Sequence, residues 1–271
     1  MVSVLSERLA AVRGAGRAAL VGYLPAGFPS RADSAAALQA MVEGGVDVVE
    51  IGLPYSDPVL DGPVIQEAVD RALSDGTTPL DVFADVAAVA ATGTPALVMT
   101  YWNPIERIGP QRFAEMLVEA GGAGVILPDL PPEEASAWTS VAASAGLDSV
   151  FLVAPSSSED RIAKVAAASS GFVYAASLMG VTGVRSSLSG TAAALVERVR
   201  ARTELPVCVG LGVSTPEQAR EVAGYADGVI VGSAFVRRFL DAPDAEAGRT
   251  AARELAGALR EGIASASAGT R

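Results

Sequence analysis

The chain has 271 residues, 50% of them hydrophobic and 19% charged, enough to bury a large core in one α/β barrel or in two small domains; a single domain over 1–271 is the simpler expectation. Its 31 acidic residues outnumber 20 basic ones for a net charge of −11, which argues against a nucleic-acid backbone as principal ligand. It contains no histidine, which excludes a Ser-His-Asp triad and removes the commonest general base and zinc ligand, and its one cysteine excludes an intramolecular disulfide.

In chain order, residues 2–12 form an amphipathic helical segment before the first strand. No basic stretch followed by an apolar core marks a secretory signal there, so a cytoplasmic address is expected. Strands are predicted at 18–24, 46–51, 96–101, 124–127, 150–153, 172–176, 207–211 and 228–231. Between them lie alanine-rich periodic segments at 31–42, 110–119, 133–145, 159–168, 191–202 and 216–222, with an inserted helix at 78–91. Glycine, serine and threonine break the uncharged run 165–184 at spacings unsuited to a membrane helix. The tail from Ser265 to Arg271 is expected to fray.

Eight strand–helix units in this length fit a closed (β/α)8 TIM barrel, with the extra N-terminal helix placed to plug its bottom. An open doubly wound sheet would carry a glycine-rich phosphate turn after its first strand. Here that strand runs into Pro25-Ala26-Gly27-Phe28-Pro29, which has no G-x-G-x-x-G pattern.

The richest stretch is Glu50-Ile51-Gly52-Leu53-Pro54-Tyr55-Ser56-Asp57-Pro58-Val59-Leu60-Asp61-Gly62-Pro63. Glu50 falls near the C-terminal end of a β-branched strand, where such barrels place their chemistry, and Asp61 lies eleven positions on, upon a loop able to fold back over that end. A carboxylate among apolar neighbours with no cation nearby in sequence gains proton affinity and can act as an acid. Asp57 and Asp61 also sit in Asp-Pro and Asp-Gly pairs that ordinarily stabilise turns. Cys208, inside Pro206-Val207-Cys208-Val209, reads as a buried strand thiol.

Glycine turns close three late strands: Gly180-Val181-Thr182-Gly183, Gly210-Leu211-Gly212 and Gly232-Ser233-Ala234-Phe235. Each alone is an ordinary turn; together they outline a phosphate cradle, with Gly232-Ser233 at the start of a short extra helix. Tyr23, Tyr101 and Tyr174 fall at strand ends around one mouth, either as core or as the lining of a flat apolar pocket. Thr182 lies on a loop able to close over it.

Over nearly its whole length the sequence resembles the α subunit of tryptophan synthase. The most specific block is residues 50–66, supported by Tyr101-Trp102-Asn103-Pro104, Gly180-Val181-Thr182-Gly183, Gly210-Leu211-Gly212-Val213 and Gly232-Ser233-Ala234. The resemblance implies reversible aldol cleavage of indole-3-glycerol phosphate to indole and glyceraldehyde 3-phosphate, with neither metal nor organic cofactor. By it, Glu50 shuttles protons and Asp61 accepts the indole N–H. Gly183, Gly212, Gly232 and Ser233 bind the phosphate; Tyr23, Tyr101 and Tyr174 shape the pocket or orient Glu50; and Thr182 hydrogen-bonds towards Asp61. It also implies a pyridoxal-phosphate-dependent β subunit as partner in an α2β2 heterotetramer, with Pro54, Asp57 and Pro58 facing it. The sequence departs from better-known members at Pro25, where they carry a polar residue, and at Leu178, where an arginine can occur. A stand-alone lyase and a non-catalytic phosphate-binding barrel are the alternatives.

Overall fold

The structure, a computed structural model, describes residues 2–176, 185–210 and 212–266. The chain runs α1 (Val4–Gly14), β1 (Ala19–Pro25), α2 (Ser34–Glu43), β2 (Val48–Gly52), α3 (Pro63–Ser74), α4 (Val82–Ala90), β3 (Ala96–Met99), α5 (Trp102–Ile108), α6 (Pro110–Glu119) and β4 (Gly124–Leu127). It continues through α7 (Ser136–Ala145), β5 (Asp148–Val153), α8 (Glu159–Ala168), β6 (Val173–Ala176), α9 (Arg185–Arg200), β7 (Val207–Gly210), α10 (Pro216–Ala223), β8 (Gly228–Val231), α11 (Ser233–Leu240) and α12 (Ala245–Ala266). The eight strands are all parallel, pair in sequence order and close β8 onto β1. No helix among the described residues is long and apolar enough to cross a membrane.

Strand residues are buried on both faces, as a parallel barrel wrapped in helices requires, and alternation divides them into two cores. Outward residues such as Leu20, Leu24, Val49, Ile51 and Val98 pack with the helices. Inward residues Ala19, Val21, Val48, Leu97, Ile126, Val150, Phe172, Cys208 and Ile230 pack with Leu5, Leu9 and Val12 of α1. The N-terminal helix is therefore the bottom plug that the sequence predicts. Ser3 caps it, accepting from the Ser6 N–H, and its hydroxyl donates to the Asp148 carboxylate at the start of β5 at 2.5 Å. Nearby, Asp47 takes a two-pronged contact from Arg17 at 2.6 and 2.7 Å and a third bond from the Leu20 N–H, tying β1 to β2.

Several boundaries differ from those read in sequence. The third strand stops at Met99, because Tyr101 is already the N-cap of α5. Helices α3, α5 and α12 lie outside the predicted segments. Helix α3 opens with Pro63 at its first position, where a missing N–H costs nothing. Helix α12 runs to Ala266, past the predicted start of fraying at Ser265; residues 267–271 lie outside the described ones, as does Leu211 at the end of the predicted seventh strand.

Leu5 is fully buried at the plug. Leu5→Ala is expected to cost about 2–5 kcal/mol in urea unfolding; a loss under about 1 kcal/mol would show that α1 is not part of the barrel core.

Candidate active site at the mouth of the barrel

Glu50 lies in β2, where alternation turns its side chain inward, in register with Tyr23 of β1 and Leu97 of β3. The residue is 1% exposed, and its Oε2 has no hydrogen-bond partner among the described residues. Burial, reinforced by the charge of Asp61, lifts its pKa from 4.5 to about 8. Both effects favour the protonated form.

Tyrosines surround it. Burial, then the charges of Asp61 and Glu50, push the Tyr23 hydroxyl well above its ordinary range; burial, then Glu50, does the same to Tyr174. Two glycines make room for these rings. A methyl group at Gly52 would overlap the Tyr23 hydroxyl and one at Gly210 would lie 2.6 Å from the Tyr174 hydroxyl, whereas one at Gly232 would meet the Tyr23 ring in an ordinary 3.4 Å contact. Gly210 thus seats Tyr174, a role its reading as a turn residue did not reveal.

The loop after β2 is held by Tyr101, whose hydroxyl accepts from the Val59 N–H at 3.1 Å and the Leu60 N–H at 3.0 Å. The Tyr101 ring packs against Tyr55 with centroids 5.3 Å apart. Gln66 of α3 donates to the Asp61 carbonyl at 2.8 Å and fixes the loop's far end. Asp61 is left half-buried, and burial raises its carboxyl pKa. The loop therefore does bring the second carboxylate into the electrostatic reach of the first.

Of the other residues singled out in sequence, Asp57 is exposed and accepts from the Ser56 hydroxyl at 2.6 Å, Pro58 is half-buried, and Pro54 is buried within the chain. Beside them Val59 and Leu60 are 76% and 56% exposed, an apolar step that sequence analysis passed over. Gly212 takes a left-handed φ of +71°, a backbone state that favours glycine. Gly232 caps α11 and Ser233 is its first residue, so the free N–H groups of that helix open beside Tyr23. Thr182 and Gly183 lie outside the described residues, as do Gly180, Val181 and Leu178. Cys208 is buried in the inner core, as expected of a strand thiol.

The model of the family described as tryptophan synthase alpha chain matches residues 9–264. The chain belongs to that family. It is 58% identical over 268 residues to the tryptophan synthase alpha chain of Thermobifida fusca, covering 98% of this chain and 99% of that one. To the alpha chain of Streptomyces coelicolor it is 59% identical over 263 residues, 97% of each. Among solved structures, tryptophan synthase from Mycobacterium tuberculosis superposes with a TM-score of 0.90 at 48% identity, over 97% of this chain and 99% of that one. The alpha subunit from Legionella pneumophila gives 0.90 at 34% identity, over 98% and 100%. The family's reaction is the cleavage of indole-3-glycerol phosphate in tryptophan biosynthesis, and this chain is a lyase of that reaction. Membership also implies a β-subunit partner.

The raised pKa of Glu50 carries a signature in stability. The folded chain keeps this proton to about pH 8, whereas the unfolded chain releases it near 4.5. Between those values the folded state binds more protons, so stability falls as pH rises. Glu50→Gln abolishes this contribution, and its unfolding free energy relative to wild type is expected to climb from pH 5 to pH 8, by an amount on the order of a few kcal/mol. A difference independent of pH would show that Glu50 titrates like an exposed carboxylate.

Proposed function

We propose that Glu50 is the acid–base residue of the cleavage and Asp61 its electrostatic partner. The observation that carries this reading is a buried carboxyl group with an oxygen left unpartnered, whose proton affinity burial and the charge of Asp61 raise. Glu50 gives its proton to indole C3, and the ring becomes an indolenine with positive charge on nitrogen. The resulting carboxylate then takes the proton of the side-chain hydroxyl next to that carbon. As the aldehyde C=O forms, the C–C bond breaks and its electron pair re-forms the C2–C3 double bond of indole, neutralising the nitrogen. Glu50 ends protonated, as it began.

Asp61 accepts the indole N–H and stabilises the cationic intermediate, whose charge exists only along the reaction path; an interaction stronger there than in the ground state is what accelerates the step. Tyr23, Tyr101 and Tyr174 form the walls of the indole pocket. The backbone N–H groups at Gly232 and Ser233, with Gly212 and Gly183, take the phosphate, which such groups bind without formal charge. Thr182 is assigned to the same site.

The barrel with α1 and α12 acts as one domain, cytoplasmic, in an α2β2 assembly. The step of Asp57, Pro58, Val59 and Leu60 supports docking of the β subunit on this loop, since exposed apolar residues beside the mouth mark an interaction site. Pro54, buried, supports the loop from within.

Indole release from indole-3-glycerol phosphate by wild type, Glu50→Gln and Asp61→Asn, each with and without a β subunit, tests the reading. Glu50→Gln is expected to lose on the order of 10²–10⁴-fold in kcat, and Asp61→Asn about 10²–10³-fold. Wild-type kcat is expected to fall above about pH 8, where Glu50 loses its proton. Turnover preserved in Glu50→Gln would remove the carboxyl from the mechanism. Turnover unaffected by the β subunit would favour a stand-alone lyase.

A further inference from the structure

We infer that Asp129, in the loop after β4, is a positioning residue for Asp61, acting through the start of α5 and the Tyr101 hydroxyl. The inference rests on the role of Asp61 proposed above.

Both carboxylate oxygens of Asp129 accept from a single backbone N–H, that of Trp102, at 3.0 and 3.1 Å. Trp102 is the first residue of α5, and its N–H is one of the orphan donors of a helix start. Such donors are ordinarily satisfied from within the local segment, but the N-cap here is Tyr101, whose side chain makes no cap hydrogen bond. The cap comes instead from a residue 27 positions away, on the neighbouring βα loop. Asp129 therefore fixes where α5 begins relative to β4, and with it the residue immediately before.

That residue is Tyr101, whose hydroxyl serves as acceptor for two consecutive N–H groups, Val59 and Leu60. Asp61 follows directly. The line of contacts runs from the Asp129 carboxylate to the Trp102 N–H, through the Tyr101 backbone and ring, to the peptide units that precede Asp61. The Tyr101 hydroxyl also lies in the field of both ends: burial raises its pKa, and Asp61 and Asp129 add to that. Asp129 is exposed and Tyr101 is 7% exposed, so the line leads from the surface into the mouth. A displacement of about 1 Å in a reacting geometry can cost up to about 10²-fold in rate.

The test is steady-state cleavage of indole-3-glycerol phosphate by the α chain in complex with a β subunit, for Asp129→Ala, Asp129→Asn, Tyr101→Phe, Asp129→Ala with Tyr101→Phe, and Asp61→Asn. Asp129→Ala and Tyr101→Phe are each expected to lower kcat about tenfold, with KM changed less than about threefold. The double variant is expected to lose no more than the worse single one, because both sit on one line. Asp129→Asn, which keeps an oxygen for the Trp102 N–H, is expected to recover most of the activity. The alkaline limb of the kcat profile is expected to move to lower pH in Asp129→Ala, because Asp61 withdrawn from Glu50 no longer raises its proton affinity; the groups facing Glu50 there are Tyr23, Tyr174, Cys208 and Asp61. A lowered melting temperature with wild-type kcat and an unmoved limb would overturn the inference, as would losses that multiply in the double variant. If Asp61→Asn itself turns over like wild type, the assignment of Asp61 fails first and takes the inference with it.

Discussion

The site depends on one constraint, the removal of a carboxyl group from water without a full set of partners. Two buried acids three residues apart show the contrast. Asp47, 3% exposed, receives three hydrogen bonds, two from a guanidinium. Glu50, 1% exposed, keeps an oxygen that nothing among the described residues satisfies. The first is a paired charge that fastens two strands. The second is a group whose surroundings favour the protonated form, and the difference lies in the company each keeps, one just before β2 and one at its middle, not in the residue type.

The barrel separates these duties along its axis. At the bottom, α1 fills the interior with leucine and valine, and polar groups there are paired, as in Ser3 with Asp148 and Arg17 with Asp47. At the mouth, Gly52 and Gly210 leave space for the Tyr23 and Tyr174 rings, and the charge of Glu50 acts on both hydroxyls. Rigid parallel strands hold Glu50, whereas Asp61 sits on a loop whose position is set from Tyr101 and Gln66. One acid is thus fixed by the scaffold, and the other by contacts reaching it from α3 and from the start of α5.

Much of this was legible in the sequence because the signals are local. Runs of β-branched residues marked the strands, the amphipathic start marked the plug, and Glu50 among apolar neighbours at a strand end announced its own proton affinity. Other features were local but overlooked. Ala252, Leu255, Ala256, Leu259 and Ile263 carry the helical period of α12, and alanine's weak contrast with its surroundings hid it. Asn103-Pro104 in α5 reads as a turn, although proline is tolerated in a helix's first turn. The remaining features are non-local. Nothing in the spacing of Tyr101, Val59 and Leu60 shows that a phenol holds two peptide N–H groups, and nothing near Asp129 shows which helix it caps. The burial of Pro54, between the end of β2 and the exposed pair Ser56 and Asp57, is likewise set by packing.

The central claim is that Glu50 is a neutral acid at physiological pH because the fold desolvates it and Asp61 stands near. The most direct test is a 13C NMR titration of the Glu50 side-chain carboxyl in the intact chain, assigned against Glu50→Gln and repeated in Asp61→Asn. The account expects a midpoint near 8 that falls when Asp61 loses its charge. A midpoint near 4.5, unmoved by the Asp61 substitution, would contradict it.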